Sequence, residues 1–243
     1  MIDDIEKLET AEPCHETVIK VENVSKSFDL GSRKVEALKE ANLEVKSRDF
    51  VVIFGPSGCG KSTLLNIISG ADEPTTGKVI VRDRNIFKMN EDERGLFRSK
   101  KMGIIYQMSY WIKSLNVVEN VAMPLLIEGI KEKQAIARAM DLLEELKVSK
   151  LATQIPTQLS GGEQQRIGFA RALISNPWII IADEPTGNLD STASDEIMAL
   201  FNTLNVEMKK TILLVTHNPA YWDLGTKRIE MRDGQIIKEV NHG

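Results

Sequence analysis

Between an apolar run, Phe50 to Phe54, and an apolar-periodic segment, Lys61 to Ser69, lies the stretch Gly55-Pro56-Ser57-Gly58-Cys59-Gly60-Lys61-Ser62. The run reads as a strand buried on both faces, and the segment as a helix stopped by Gly70. A strand of that kind needs helices against both faces, so the surrounding chain is expected to form an α/β layer structure. The loop itself has the GxxxxGK[ST] pattern of a phosphate-binding loop. Its glycines let backbone N–H groups turn inward as an anion nest, which a Cβ would obstruct. Lys61 supplies a point charge for β- and γ-phosphates, and the Ser62 hydroxyl can coordinate Mg²⁺. The helix that continues through Thr63 presents its positive dipole end to the same anion.

The rest of the chain extends this pattern. Val18 to Val45 is rich in β-branched residues and punctuated by Gly31-Ser32, which predicts two or three short strands. Val79 to Val81 and Gly103 to Tyr106 are further strand candidates. From Glu91 to about Pro156 the texture is helical, and Lys131 to Val148 gathers Ala135, Ile136, Ala139, Met140, Leu142, Leu143 and Leu146 on one face. A helix is expected from Gly162 to about Ser175. Trp178 to Ala182 and Thr211 to Thr216 read as buried parallel strands joined by a helix over Ser191 to Met208. Thr226 to Val240 predicts a hairpin turning at Asp233-Gly234. The expected fold is α/β: a mostly parallel sheet with flanking helices, an N-terminal antiparallel β subdomain and an α-helical insertion over about 91–160. Residues 18–240 form one domain and 1–17 an acidic mobile tail.

Composition excludes several classes. Thirty-one Lys and Arg against 35 Asp and Glu leave a net charge of −4, not the basic footprint of a nucleic-acid binder. Two cysteines, Cys14 and Cys59, make neither a disulfide framework nor a metal quartet, so a reducing, cytoplasmic setting is expected. No apolar run approaches the roughly 18 residues of a membrane span.

Two further stretches carry chemistry. Ile179-Ile180-Ile181-Ala182-Asp183-Glu184 delivers adjacent carboxylates at the C-terminal end of a strand, where open α/β sheets place ligands. Asp183 suits a Mg²⁺ ligand, and Glu184 a general base toward an attacking water. Leu159-Ser160-Gly161-Gly162-Glu163-Gln164-Gln165-Arg166 opens a helix with a serine and two glycines, a second surface suited to phosphate.

With that stretch the chain resembles the ATP-binding cassette (ABC) ATPase subunits, P-loop nucleotidases whose signature is LSGGQ; Glu163 stands where glutamine is usual. The resemblance covers Val18 to Val240. It implies that Gln107 touches Mg²⁺ and water, that Asp190 belongs to a nucleotide-facing loop, Gly187-Asn188-Leu189-Asp190, and that His217 is the switch histidine. It places Phe28 where an aromatic stacks on adenine, with a core phenylalanine as the alternative. It further implies an ATP-hydrolysing subunit that dimerises head to tail around two ATP, Ser160, Gly161, Gly162 and Glu163 of one protomer closing on the phosphate loop of the other.

Glu36 to Lys39, Val118 to Val121 with Pro124-Leu125-Leu126, and Ala182 to Asp190 are similar to the group that energises lipoprotein release and macrolide export. That likeness implies an integral-membrane permease as partner, no nucleic acid, and a cytoplasmic location on the inner face of the cell membrane. The alternative is an ATPase that transmits force through a membrane partner without transport. Lys61 and Ser160 lie 99 residues apart without sustained heptads, unlike the chromosome-maintenance ATPases that share these motifs. Departures from the group are Ser47-Arg48-Asp49-Phe50, Asn218 and Met108-Ser109-Tyr110-Trp111-Ile112-Lys113. Tyr110 and Trp111 fit either a specialised partner or packing inside the helical insertion. Cys59, beside loop N–H groups and Lys61, is expected to favour thiolate and to react with a maleimide unless MgATP covers it; the alternative is a thiol packed between sheet and helix.

Overall fold

The computed structural model describes residues 16–29, 31, 33–108 and 110–241. Cys14, His15 and most of the expected acidic tail therefore lie outside the described residues. Two strands, β1 (Thr17–Asp29) and β2 (Lys34–Lys46), open the fold as an antiparallel pair. They replace the two or three short strands expected, and β1 begins at Thr17, inside the expected tail. The length was hidden because the ladder slips register between Val21 and Val24 and again near Lys26, with Asn23 (φ 50°) and Glu40 (φ 47°) in left-handed conformations. Each bulge shifts which residues face inward, so the alternation that marks a strand breaks into pieces.

After β3 (Phe50–Phe54) come α1 (Lys61–Ile68), β4 (Thr76–Val81), β5 (Arg84–Asn85), α2 (Glu91–Lys101) and β6 (Met102–Tyr106). Next are α3 (Val117–Ile127), α4 (Glu132–Glu145), α5 (Gly161–Leu173), β7 (Ile179–Asp183), α6 (Ser191–Val206), β8 (Thr211–Val215), β9 (Lys227–Arg232) and β10 (Gln235–Asn241). Strands β2-β1-β4-β5 form an antiparallel sheet, and β10-β9-β3-β8-β7-β6 a second sheet in which only β10 runs against its neighbour.

Among the described residues, three apolar clusters hold the layers. On β3, Val51 and Ile53 face α1 and the antiparallel sheet, while Phe50 and Val52 face α5 and α6 beside Phe169 and Phe201. Each fully buried side chain of this size contributes ~1.5–3 kcal/mol, and the middle residues of β3, β7 and β8 are accordingly apolar. The third cluster joins α3, α4 and α5 through Val121, Ala139, Leu143 and Ile167. The helical insertion is therefore narrower than expected. Between α2 and α3 the chain returns to the main sheet as β6, paired in parallel with β7, so α2 belongs to the core and the insertion begins after Tyr106. On α4, Ala135, Ala139 and Leu143 are buried, whereas Met140 lies at the exposed rim of the expected face. No helix among the described residues is long and apolar enough to cross a membrane.

Candidate functional site

Parallel register brings the chemistry together. Ile53 pairs with Val215, Val215 with Asp183, and Asp183 with Tyr106, so four adjacent strands end in one row. The residues just beyond that row are Gly55 after β3, His217 after β8, Glu184 after β7 and Gln107 after β6. Segments far apart in sequence thus meet at one edge of the sheet.

The loop after β3 needs its first glycine. Gly55 has φ 154°, and a Cβ there would lie 2.2 Å from the carbonyl oxygen of Met231. Lys61 is buried, and its Nζ donates to the carbonyl oxygens of Gly55 and Pro56 at 2.8 and 2.9 Å. The ammonium group is therefore held against the loop by two of its carbonyl oxygens. Cys59 corrects the expectation of a reactive thiol: it is 5 % exposed, and its side chain belongs to the cluster between sheet, α1 and β9. Burial to that degree is expected to shield the sulfur from a reagent in the folded chain. Mass spectrometry of maleimide-treated native protein should find Cys59 unlabelled with or without MgATP, and labelled once the chain is denatured. Native labelling that MgATP blocks would contradict this packing.

Asp183 is half-buried, and burial pushes its carboxyl above the ordinary range; a hydrogen bond from Ser62 opposes this, Glu184 adds to it and Lys61 opposes it. One of its oxygens, Oδ1, is buried without a hydrogen-bond partner. A buried acceptor in that position, beside a serine hydroxyl at the mouth of a phosphate loop, fits a small oxygen-ligated cation such as Mg²⁺. Glu184 is left-handed (φ 47°), its N–H donating to Val215 O at 3.0 Å and its carbonyl accepting from Gly187 N at 3.0 Å. A non-glycine residue in that region costs on the order of 1–3 kcal/mol, and the turn it makes aims the side chain at His217, whose Nδ1 stands 2.6 Å from Glu184 Oε2. With a carboxylate as acceptor, Nδ1 is the donor. A cleft of about 290 Å³ opens beside this pair, lined also by Gly187, Leu189 and Thr216.

Several contacts were not foreseen. Gln107 Nε2 donates to Asn188 Oδ1 at 3.3 Å, and Gly187 lies so close that a Cβ there would sit 2.6 Å from Gln107 Nε2. The loop containing Asp190 is thereby tied to the residue after β6. Buried Gln165 donates to Tyr106 O, Trp111 Nε1 donates to Gln164 Oε1 at 2.8 Å, and Arg171 donates to Tyr110 O while lying over the Trp111 ring. The paired glutamines of α5 were the available signal: polar residues on the inward side of a helix need partners. Trp111 therefore packs against the helical insertion, as the packing alternative had it, whereas Tyr110 is 73 % exposed. Phe28 is also exposed, with Lys26 Nζ 4.9 Å from its ring centre, which removes the core alternative. Asp190 caps α6 by accepting from Ala193 N, and Ser160 caps α5.

The chain resembles known proteins over most of its length. Residues 38–187 match the family model described as ABC transporter. An uncharacterized ABC transporter ATP-binding protein of Methanocaldococcus jannaschii, MJ1508, is 44 % identical over 224 residues, spanning 92 % of this chain and 100 % of that protein. The lipoprotein-releasing system ATP-binding protein LolD 1 of Chlorobium chlorochromatii is 40 % identical over 222 residues, 90 % of either chain. Among solved structures, the dimeric structure of the ABC transporter cassette MJ0796, also from M. jannaschii, superposes with a TM-score of 0.87 at 39 % identity, covering 93 % of this chain and 99 % of that one. A post-hydrolysis dimer of the same cassette bound to ADP and Pi gives a TM-score of 0.87 at 38 % identity over the same shares.

Proposed function

The chain belongs to the ABC transporter family and is an ABC-type ATP hydrolase, and on that premise we propose how its residues carry the reaction and what the reaction drives. The convergence of Lys61, Asp183, Glu184, His217 and Gln107 on one sheet edge carries the reading.

Phe28 stacks on the adenine. The loop from Gly55 through Thr63 wraps the triphosphate with its N–H groups, and Lys61 turns from the Gly55 and Pro56 carbonyls to the β- and γ-phosphates. Ser62, Asp183 and Gln107 would hold Mg²⁺, which when bound would neutralise developing charge on the phosphates. Glu184 takes the proton of the attacking water, and the hydrogen bond from His217 Nδ1 fixes the carboxylate's direction. Gln107, tied to Asn188, aligns the water. The working form is a homodimer, as in the MJ0796 cassette. Its two protomers meet head to tail, so that Ser160, Gly161, Gly162 and Glu163 of one cover the phosphates held by the other, with Asp190 at the seam. Capped by Ser160, α5 offers its N-terminal N–H groups to the phosphates.

The chain is an ATP-driving subunit whose partner is an integral-membrane permease of the lipoprotein-release or extrusion type, bound on the cytoplasmic face. Lipoprotein release is the function named for the LolD relative. Supporting the permease is a cleft of about 450 Å³ next to Gln107, lined by Met108, Tyr110, Trp111, Lys113, Thr157 and Gln164. Met108 and Tyr110 are exposed apolar residues there, and an apolar patch beside a catalytic loop suits a short helix of the permease. Co-expressed with an integral-membrane permease of the lipoprotein-release type, the chain should sediment with membranes. Met108→Asp combined with Tyr110→Asp should reduce that retention more than tenfold, a loss of ~1.4 kcal/mol or more, while ATP-dependent dimerisation persists. Undiminished retention would remove this cleft as the docking site.

A further inference from the structure

The N-terminus of α5 commits a proton that the ATP sandwich needs. Ser160 Oγ donates to Glu163 Oε2 at 2.6 Å, and Ser160 N donates to the same oxygen at 2.9 Å. In return Glu163 N donates to Ser160 Oγ at 3.4 Å. A capping box requires only the two bonds that involve backbone N–H groups. Here the serine hydroxyl is engaged as well, by a charged acceptor, and charge-assisted bonds of this kind are the shorter and stronger ones. These bonds, side chain first and backbone second, hold the Glu163 carboxyl below the ordinary carboxylate range, so it carries its charge at neutral pH. The cation one turn along α5, Arg166, is paired with Glu196.

A serine hydroxyl has one proton to donate. It cannot serve Glu163 and a phosphate oxygen together. From this geometry we propose that Glu163 is a positioning residue that sets the threshold for dimer closure: it holds the Ser160 hydroxyl in the separated protomer and must surrender it to the γ-phosphate bound by the partner. The proposal rests on the head-to-tail reading above. Two effects oppose closure. The phosphate competes with a carboxylate for one proton, and the carboxylate's charge lies close to the triphosphate. A neutral glutamine at position 163 keeps the reach and the acceptor oxygen but removes the charge, weakening the competitor for the hydroxyl and abolishing the repulsion.

The test uses the full chain with Glu184→Gln, which suppresses hydrolysis, and reads dimer fraction by analytical ultracentrifugation against MgATP concentration. Adding Glu163→Gln should lower the half-saturating ATP about three- to tenfold, tenfold corresponding to ~1.4 kcal/mol. The gap between the two proteins should shrink in high salt, because the screening length falls from about 10 Å at 0.1 M to about 3 Å at 1 M. A residue that merely caps the helix would give neither result; weakening the cap would raise the ATP requirement, equally at both salts. Glu163→Ala, which removes the acceptor altogether, should also lower the requirement. An unchanged or higher ATP requirement in Glu163→Gln, with an unaltered melting temperature without nucleotide, overturns the proposal. If the Glu184→Gln protein forms no dimer with ATP at all, the head-to-tail reading itself falls, and the proposal falls with it.

Discussion

Glu184→Gln is expected to reduce ATP turnover about 10²- to 10⁴-fold, the contribution of a positioned general base, while MgATP binding stays within a few-fold of the parent. The reason is positional. Glu184 lies past the end of β7, with its carboxylate oxygen 2.6 Å from His217 Nδ1, which places it toward the histidine. Glutamine is nearly isosteric, and its carbonyl oxygen can still accept from Nδ1, so the turn and the histidine should keep their places. What disappears is the capacity to take a proton from water. Binding without hydrolysis should accumulate the closed dimer, seen in sizing experiments as an ATP-dependent shift to twice the monomer mass. Hydrolysis near the parent rate would show that another group activates the water. Lost ATP binding would show that Glu184 is part of the nucleotide cradle.

Lys61→Ala should give the complementary result, a loss of nucleotide affinity of about 10- to 100-fold. A charge-assisted hydrogen bond is worth ~1.5–3 kcal/mol, and each 1.4 kcal/mol is a factor of ten in Kd. The structure adds a second reason for a large effect. Lys61 Nζ bonds the carbonyl oxygens of Gly55 and Pro56, and truncation leaves both without this donor while opening space under the loop. Calorimetric titration with MgATP measures the loss, and a melting curve without nucleotide separates it from a folding defect. Lys61→Arg distinguishes the two contributions, since it keeps the charge but not the compact ammonium that fits beneath the loop. Unchanged affinity in Lys61→Ala would remove this lysine from the phosphate site.

The two variants also separate what was legible in the residues from what was not. Local chemistry was legible. The loop from Gly55 to Ser62, the apolar run ending in Asp183-Glu184, and the serine-capped start of α5 each announce a backbone geometry through residue type and short-range spacing. Strand β3 and helix α1 follow from the same local rules. So do α6 and the β9–β10 hairpin, whose turn residues Asp233 (φ 49°) and Gly234 (φ 83°) both take positive φ.

Other features needed distant partners. The length of β1 and β2 depends on a ladder whose bulges erase the alternation. The origin of the helical insertion depends on β6 finding β7, a pairing between residues more than 70 positions apart. Cys59 shows the limit most directly. Its sulfur stays 3.9 Å from Lys61 Nζ, yet the same side chain is buried in an apolar cluster supplied by residues as remote as Ile229 and Met231. The bonds from Trp111 to Gln164 and from Gln107 to Asn188 likewise join segments that no spacing rule connects. The sequence by itself determined which groups could bind phosphate, hold a cation and move a proton, because those capacities reside in residue types and backbone freedom over a few positions. Only the tertiary structure decided which of them share a site, how deeply each is buried, and that the hydroxyl of Ser160 is already engaged by Glu163, because direction and burial are set by chain packed from elsewhere in the fold.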